Sequence, residues 1–196
     1  MSSHLLKHLN SLIFFLLIFF NGTFYPALVL SADMSIQVCN GQDQFVVRRL
    51  DSKQYDNICE IYKGKLIMIV NTASRCAYTD QYDELENLYS EFKNRGLVVI
   101  GFPSNDFGNQ EPENEKNIKN FCRLTYGVKF PMYAKTRVKG FDADPLFKKL
   151  AQVSGQAPQW NFHKYIIDRN GKLVGSYGSS ISPYNKTIIQ KIEKLL

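Results

Sequence analysis

Residues 65–103 read KLIMIVNTASRCAYTDQYDELENLYSEFKNRGLVVIGFP. The run Lys65 to Val70 is continuously apolar after its lysine, as expected of a strand buried on both faces. From Tyr78 the period changes. Tyr82, Leu85, Tyr89 and Phe92 recur at helical spacing, and Gly96 stands where a helix-terminating glycine belongs. A second apolar strand, Leu97 to Phe102, follows. Strand, helix and strand in this order predict a right-handed crossover and a parallel pair. Cys76 sits between the first strand and the helix. Backbone N–H groups and the helix dipole at such a junction favour thiolate over thiol, and the thiolate is the nucleophile.

The elements on either side extend the pattern. Upstream, residues 45–50 alternate loosely as a strand would, and 56–60 fit one helical turn. Downstream comes the loop SNDFGNQEP. A helix is expected over Glu113 to Thr125, with Ile118, Phe121, Cys122 and Thr125 on one face and Gly127 closing it. Val128 to Tyr133 is short and extended. Asp144 to Val153 predicts a third helix with Pro145 in its first turn. Phe162 to Asp168 and Lys172 to Tyr177 flank Asn170-Gly171, a strong hairpin signal. Pro183 to Leu196 closes the chain as a helix, with Ile188, Ile189, Ile192 and Leu196 inward. This order is that of an α/β thioredoxin-like fold, a central mixed sheet flanked by helices. In such a sheet the hairpin's first strand lies antiparallel beside the Cys76-bearing strand, which brings Trp160 and Asn161 to Cys76. A thiolate, an amide and an indole N–H in one place point to redox chemistry rather than hydrolysis.

The chain has 196 residues, enough for one domain with an N-terminal extra. Its net charge of +6 is scattered, which argues against nucleic-acid binding. Residues 1–32 carry Lys7 and an apolar block, Leu12 to Phe20, too short for a comfortable bilayer span. They read as a targeting leader, 33–44 as a polar linker and 45–196 as the domain. The leader predicts an organelle of plastid or mitochondrial type, with a cytosolic form if Met34 is an alternative start; secretion is disfavoured. Four cysteines, Cys39, Cys59, Cys76 and Cys122, show no CxxC and no metal-ligand spacing with histidine. His163 reads as a strand residue rather than a base or ligand.

Four separated segments, NTASRCAYT (71–79), GFPSNDFGNQEP (101–112), FCRLTYGVKFP (121–131) and WNFHKYIID (160–168), resemble the glutathione peroxidase family in order and spacing. The resemblance covers residues 45–196. It implies that Cys76 is the peroxide-reducing residue and that Gln110, Trp160 and Asn161 complete its site. It departs at Ala77, where glycine is common, and at Ser104, where many relatives carry cysteine; neither removes a catalytic group. Cys122 matches the motif of the resolving cysteine in the cysteine-based, thioredoxin-using branch. The insertion that builds a tetramer interface in glutathione-using animal enzymes is not visible between Phe141 and Trp160. The resemblance therefore implies a monomer with no selenium, metal or haem cofactor, which reduces hydrogen peroxide and organic or lipid hydroperoxides. Its partner would be thioredoxin or a related dithiol protein, with glutathione as the alternative reductant.

In that chemistry Cys76 becomes a sulfenic acid, Cys122 attacks it, and a dithiol protein reduces the disulfide. Lowering a thiol from about 8.5 to about 7 needs roughly 2 kcal/mol of differential stabilisation. Cys122 is expected on a helix, so that helix must move before the disulfide forms. Two other readings use the same residues. One is a peroxide sensor that relays oxidation to a client protein. The other is a structural domain with Cys39–Cys59 and Cys76–Cys122 bridges.

Overall fold

A computed structural model describes residues 37–196. The leader over 1–32 and the first residues of the expected linker lie outside the described residues.

Two short strands, β1 (Val46–Arg48) and β2 (Tyr55–Asn57), pair antiparallel and lead into a single turn, α1 (Ile58–Ile61). The helical turn expected from Asp56 thus begins two residues later. Asp56 and Asn57 are drawn into the ladder with Val47 and Val46, and Asn57 then caps α1 by accepting from the Cys59 N–H. The decisive stretch folds as read: β3 (Leu66–Thr72), α2 (Gln81–Phe92) with a 3₁₀ turn over Lys93–Arg95, and β4 (Leu97–Pro103). β3 and β4 pair in parallel from Leu66↔Leu97 to Thr72↔Pro103. Then come α3 (Glu115–Thr125), α4 (Pro145–Ser154), β5 (Lys164–Ile167), β6 (Leu173–Tyr177) and α5 (Lys186–Leu195). The main sheet has the order β4-β3-β5-β6, with β5 antiparallel to both neighbours.

β3 is buried along its whole length because both faces are covered. Leu66, Met68 and Val70 pack with Tyr82, Leu85 and Leu88 of α2 and Ile188 and Ile192 of α5. Ile67 and Ile69 face the other way, against Ile58 of α1, Leu146, Phe147 and Leu150 of α4, and Phe102. Alternation on a pleated strand explains this division into two core clusters. The result is the expected thioredoxin-like arrangement.

Residues 37–41, expected to be linker, are tied to the domain. Val38 is buried, and the Val38 and Cys39 N–H groups both donate to the Gly171 carbonyl, at 2.9 and 3.0 Å. Gly171 has φ 84°, and a Cβ there would collide with the Cys39 carbonyl, so the Asn-Gly turn also provides the seat for this arm. A disulfide joins Cys39 to Cys59, with Cα atoms 5.5 Å apart. Cys76 and Cys122 are free thiols, so only one of the two bridges of the structural reading is present.

Candidate active site at the end of the central strand

Cys76 lies in a tight turn between β3 and α2, partly exposed, five residues before the helix begins. Thr79 builds that turn. Its hydroxyl accepts from the Cys76 N–H at 2.9 Å and lies 2.7 Å from the Cys76 carbonyl and 3.1 Å from that of Ala73. The Tyr78 N–H donates to the Cys76 sulphur at 3.4 Å. That bond sets one backbone donor against the sulphur. The donor is thus supplied by the turn rather than by the first residues of α2.

Of the other three predicted residues, Gln110 is bonded to this turn and Asn161 to Gln110, and Trp160 adjoins Asn161 in the chain. The Arg75 N–H donates to the Gln110 carbonyl at 3.0 Å, which joins the Cys76 turn to the 105–112 loop. The Asn161 Nδ2 donates to the Gln110 Oε1 at 3.0 Å, which joins that loop to the segment entering β5. Asn161 is fully buried and its Oδ1 has no partner. Trp160 is 38% exposed and packs on Phe107 with ring centroids 5.7 Å apart; its indole N–H is unbonded among the described residues. Lys139 sits 4.4 Å over the Phe107 ring.

Asn71, near the end of β3, sets the position of the Trp160–Asn161 segment. Its Nδ2 donates to the Trp160 carbonyl and its Oδ1 accepts from the His163 N–H, both at 3.1 Å. Its own carbonyl accepts from the Phe162 N–H at 2.6 Å. Between these contacts Phe162 is held at φ 62°, uncommon for an aromatic residue and the kind of local strain that cores impose at functional sites.

Cys122 points from α3 into the core, 1% exposed, beside Tyr82. Burial above all pushes its thiol up to about 11. Of the eleven residues of α3 only Ile118 and Cys122 are buried; Phe121 is half-buried, and Thr125, expected inward, is exposed. His163 is a core residue, as expected. Its Nε2 meets the Ser176 hydroxyl at 2.9 Å, and burial, aided by Lys164, lowers it to about 4, so it is neutral at pH 7.

Sequence reasoning missed several polar groups at the same end of the sheet. Asn71 and Thr72 extend β3 beyond the apolar run, a polar ending that was itself the available signal. Glu111 is fully buried next to Gln110. Its Oε2 accepts from the Ser74 hydroxyl at 3.0 Å, and its backbone N–H donates to Asn105 at 2.8 Å. Burial raises its carboxyl to about 7. Lys164 is buried too; its Nζ donates to the Gln81 Oε1 at 2.8 Å, and burial lowers it to about 7. Among the described residues no group of three or more His, Cys, Asp or Glu side chains is arranged to hold a metal.

Residues 43–151 match the sequence model of the family described as glutathione peroxidase. The chain is 46% identical over 145 residues to the hydroperoxy fatty acid reductase gpx1 of Synechocystis sp., which covers 69% of this chain and 85% of that protein. It is 45% identical over 139 residues to the glutathione peroxidase-like peroxiredoxin HYR1 of Saccharomyces cerevisiae, covering 68% and 84%. Among solved structures, the one described as Trgpx in apo form superposes with a TM-score of 0.62 at 32% identity, covering 81% of this chain and 95% of that one. A thiol:disulfide interchange protein of the thioredoxin family from Chlorobium tepidum, 18% identical with a TM-score of 0.55, covers 77% and 91% and shares the fold.

Proposed function

The chain belongs to the glutathione peroxidase family and is a thiol peroxidase, and we propose that Cys76 is its peroxide-reducing residue, resolved by Cys122 and recycled by thioredoxin. The observation that carries this reading is the pair of bonds from Arg75 to Gln110 and from Asn161 to Gln110, which ties two separated segments to the turn that carries Cys76. In the first step the Cys76 sulphur attacks the nearer peroxide oxygen. An S–O bond forms, the O–O bond breaks, and the departing oxygen leaves as water or an alcohol once protonated. The Trp160 indole N–H and the amides of Gln110 and Asn161 are uncharged donors suited to hold that oxygen.

In the second step Cys122 displaces the oxygen of the Cys76 sulfenic acid. A disulfide needs Cα atoms within about 7 Å, and a buried thiol raised to about 11 is inert until it is moved or deprotonated. The sparse burial of α3 suits local unwinding. A dithiol protein then reduces the disulfide by exchange. The names of the relatives, a hydroperoxy fatty acid reductase and a peroxiredoxin, support lipid hydroperoxides as substrates and a protein thiol as reductant. α4 is the only helix between Phe141 and Trp160, which supports a monomer. The leader-like residues 1–32 support delivery to an organelle. A fusion carrying residues 1–45, compared with one beginning at Met34, tests that destination.

The deciding experiment for the reaction compares reductants. Peroxide-driven NADPH consumption is measured with thioredoxin and its reductase, then with glutathione and its reductase, at matched concentrations. Faster turnover with thioredoxin is expected. Faster turnover with glutathione overturns the assignment of the reductant.

A further inference from the structure

Resting on the roles of Cys76 and Cys122 given above, we propose that Glu111 is the proton acceptor of the resolving step. Its two carboxyl oxygens have different surroundings. Oε2 accepts from the hydroxyl of Ser74, two residues before Cys76. Oε1 is buried without a partner. The Tyr82 and Thr72 hydroxyls are buried side by side without a well-formed hydrogen bond, and the Cys122 thiol lies against Tyr82. The negative charge of Glu111 is among the influences that raise both the Tyr82 hydroxyl and the Cys122 thiol. Buried polar atoms are nearly always hydrogen-bonded. An orphaned carboxyl oxygen and two loosely bonded hydroxyls, one of them against a thiol, are poor packing, but they suit a place where a proton changes hands.

The chemistry of resolution needs such a group. When the Cys122 sulphur attacks the Cys76 sulfenic acid, an S–S bond forms and the S–O bond breaks, its electron pair leaving on the oxygen. Cys76 sulphur is reduced and Cys122 sulphur is oxidised. The thiol proton must leave Cys122, and a proton must reach the departing oxygen so that it leaves as water. Glu111 takes the first on the Cys122 side and, through Ser74 on the Cys76 side, returns one to the second. The sum consumes no proton and needs no further reactant. A thiol near 11 is ionised about once in 10⁴ molecules at pH 7, so a local base has much to contribute; such bases contribute roughly 10²–10⁴-fold. A carboxyl raised to about 7 is about half available at neutral pH. The groups acting on it are Ser74 and Lys135, which favour its ionised form, and Glu113, which opposes it; its charge in turn acts on Tyr82 and Cys122.

The test is single-turnover kinetics on the full chain, following sulfenic acid formation and Cys76–Cys122 disulfide formation separately across pH 5–9. Glu111→Gln, which keeps shape and hydrogen bonding, should slow disulfide formation at least tenfold more than sulfenic acid formation, and should abolish the rise of the disulfide rate around pH 7. Equal slowing of both steps, or a retained rise, overturns the role. Should Glu111→Gln fail to fold, Glu111→Asp decides. Its carboxyl is displaced, so the midpoint of the rise should shift by at least half a pH unit, and an unmoved midpoint overturns the role. Absence of the disulfide in the wild-type chain overturns the assignment of Cys122 itself, and this role with it. A normal wild-type disulfide with an unaffected Glu111 variant removes only Glu111.

Discussion

Replacing Asn71 by alanine should disable the site from beneath without replacing any residue that meets peroxide. The side chain is fully buried and makes two hydrogen bonds, to the Trp160 carbonyl and from the His163 N–H, both 3.1 Å. Each is worth about 1 kcal/mol net, and leaving the buried His163 N–H unpaired costs about 1–3 kcal/mol more. The expected loss of stability is therefore about 3–5 kcal/mol. The same bonds hold Phe162 at φ 62°, a conformation that costs about 1–3 kcal/mol and persists only while its surroundings enforce it. Once it relaxes, Asn161 loses its place against Gln110. A displacement of 1 Å at a reacting centre costs on the order of 10²-fold in rate. Urea unfolding followed by circular dichroism gives the stability. Trp160, the chain's one tryptophan, reports the site by fluorescence, and stopped-flow oxidation of Cys76 gives the rate. A variant that loses less than about 1 kcal/mol and oxidises at the wild-type rate would refute the idea that Asn71 positions the Trp160–Asn161 segment.

Cys76→Ser should abolish peroxide reduction, while Cys122→Ser should consume one equivalent of peroxide per chain and then stall with thioredoxin; sustained cycling in the second variant would move the resolving role to another thiol. Cys39→Ser should cost about 3 kcal/mol, the chain-entropy value for a loop of 20 residues, with little effect on turnover. In the unreduced protein an alkylating reagent should modify Cys76 in the native state and Cys122 only on unfolding, and should leave Cys39 and Cys59 untouched in both. Lys164 should make the protein more stable at alkaline pH. Its folded-state value is depressed from 10.5 to about 7, so between those values the unfolded chain binds more protons and stability rises with pH. The rise should amount to roughly 2–5 kcal/mol, and Lys164→Met should flatten it; an unchanged slope would show that the buried amine is solvated. On the acid side Glu111, raised to about 7, and His163, lowered to about 4, oppose one another, so that limb should be shallow until one is replaced.

The stretch 65–103 declared the fold because its signals are local. An apolar run buried on both faces, a 3.6-residue period and a terminating glycine depend on little beyond themselves. The passage of the Trp160–Asn161 segment past the end of β3 was also legible, since strand order fixes which segment lies there. Other features depend on distant partners and left no such trace. Asp56 and Asn57 join a strand because Val46 and Val47 are there to pair with them. Residues 37–41 are polar enough to look like a linker, and are held by Gly171, more than a hundred residues away. Asn71 and Glu111 resemble ordinary polar residues at a strand end and in a loop until the elements that bury them are in place.

The anchoring of α3 bears on how Cys122 can travel. The N-terminal end is clamped: Asn114 caps it by accepting from the Asn117 N–H, and Glu115 takes a two-pronged bond from Arg48, at 2.7 and 2.8 Å, together with the N–H groups of Asp51 and Lys135. Lys119 reaches Asp51 at 3.2 Å. Beyond Lys119 the helix contributes only Cys122 to the fully buried core, and an open cavity of about 360 Å³ there is lined by Cys122, Arg123, Val128 and Phe130. Unwinding the last turn therefore exposes one buried side chain, at about 1–3 kcal/mol by the usual cost of exposing an apolar group, whereas unwinding the first turn breaks the Glu115 cluster. The motion that frees Cys122 is thus confined to residues after Lys119. The clamp at Glu115 stands between that motion and the loop of Gln110 and Glu111, so those two side chains can stay in place while the thiol moves toward them.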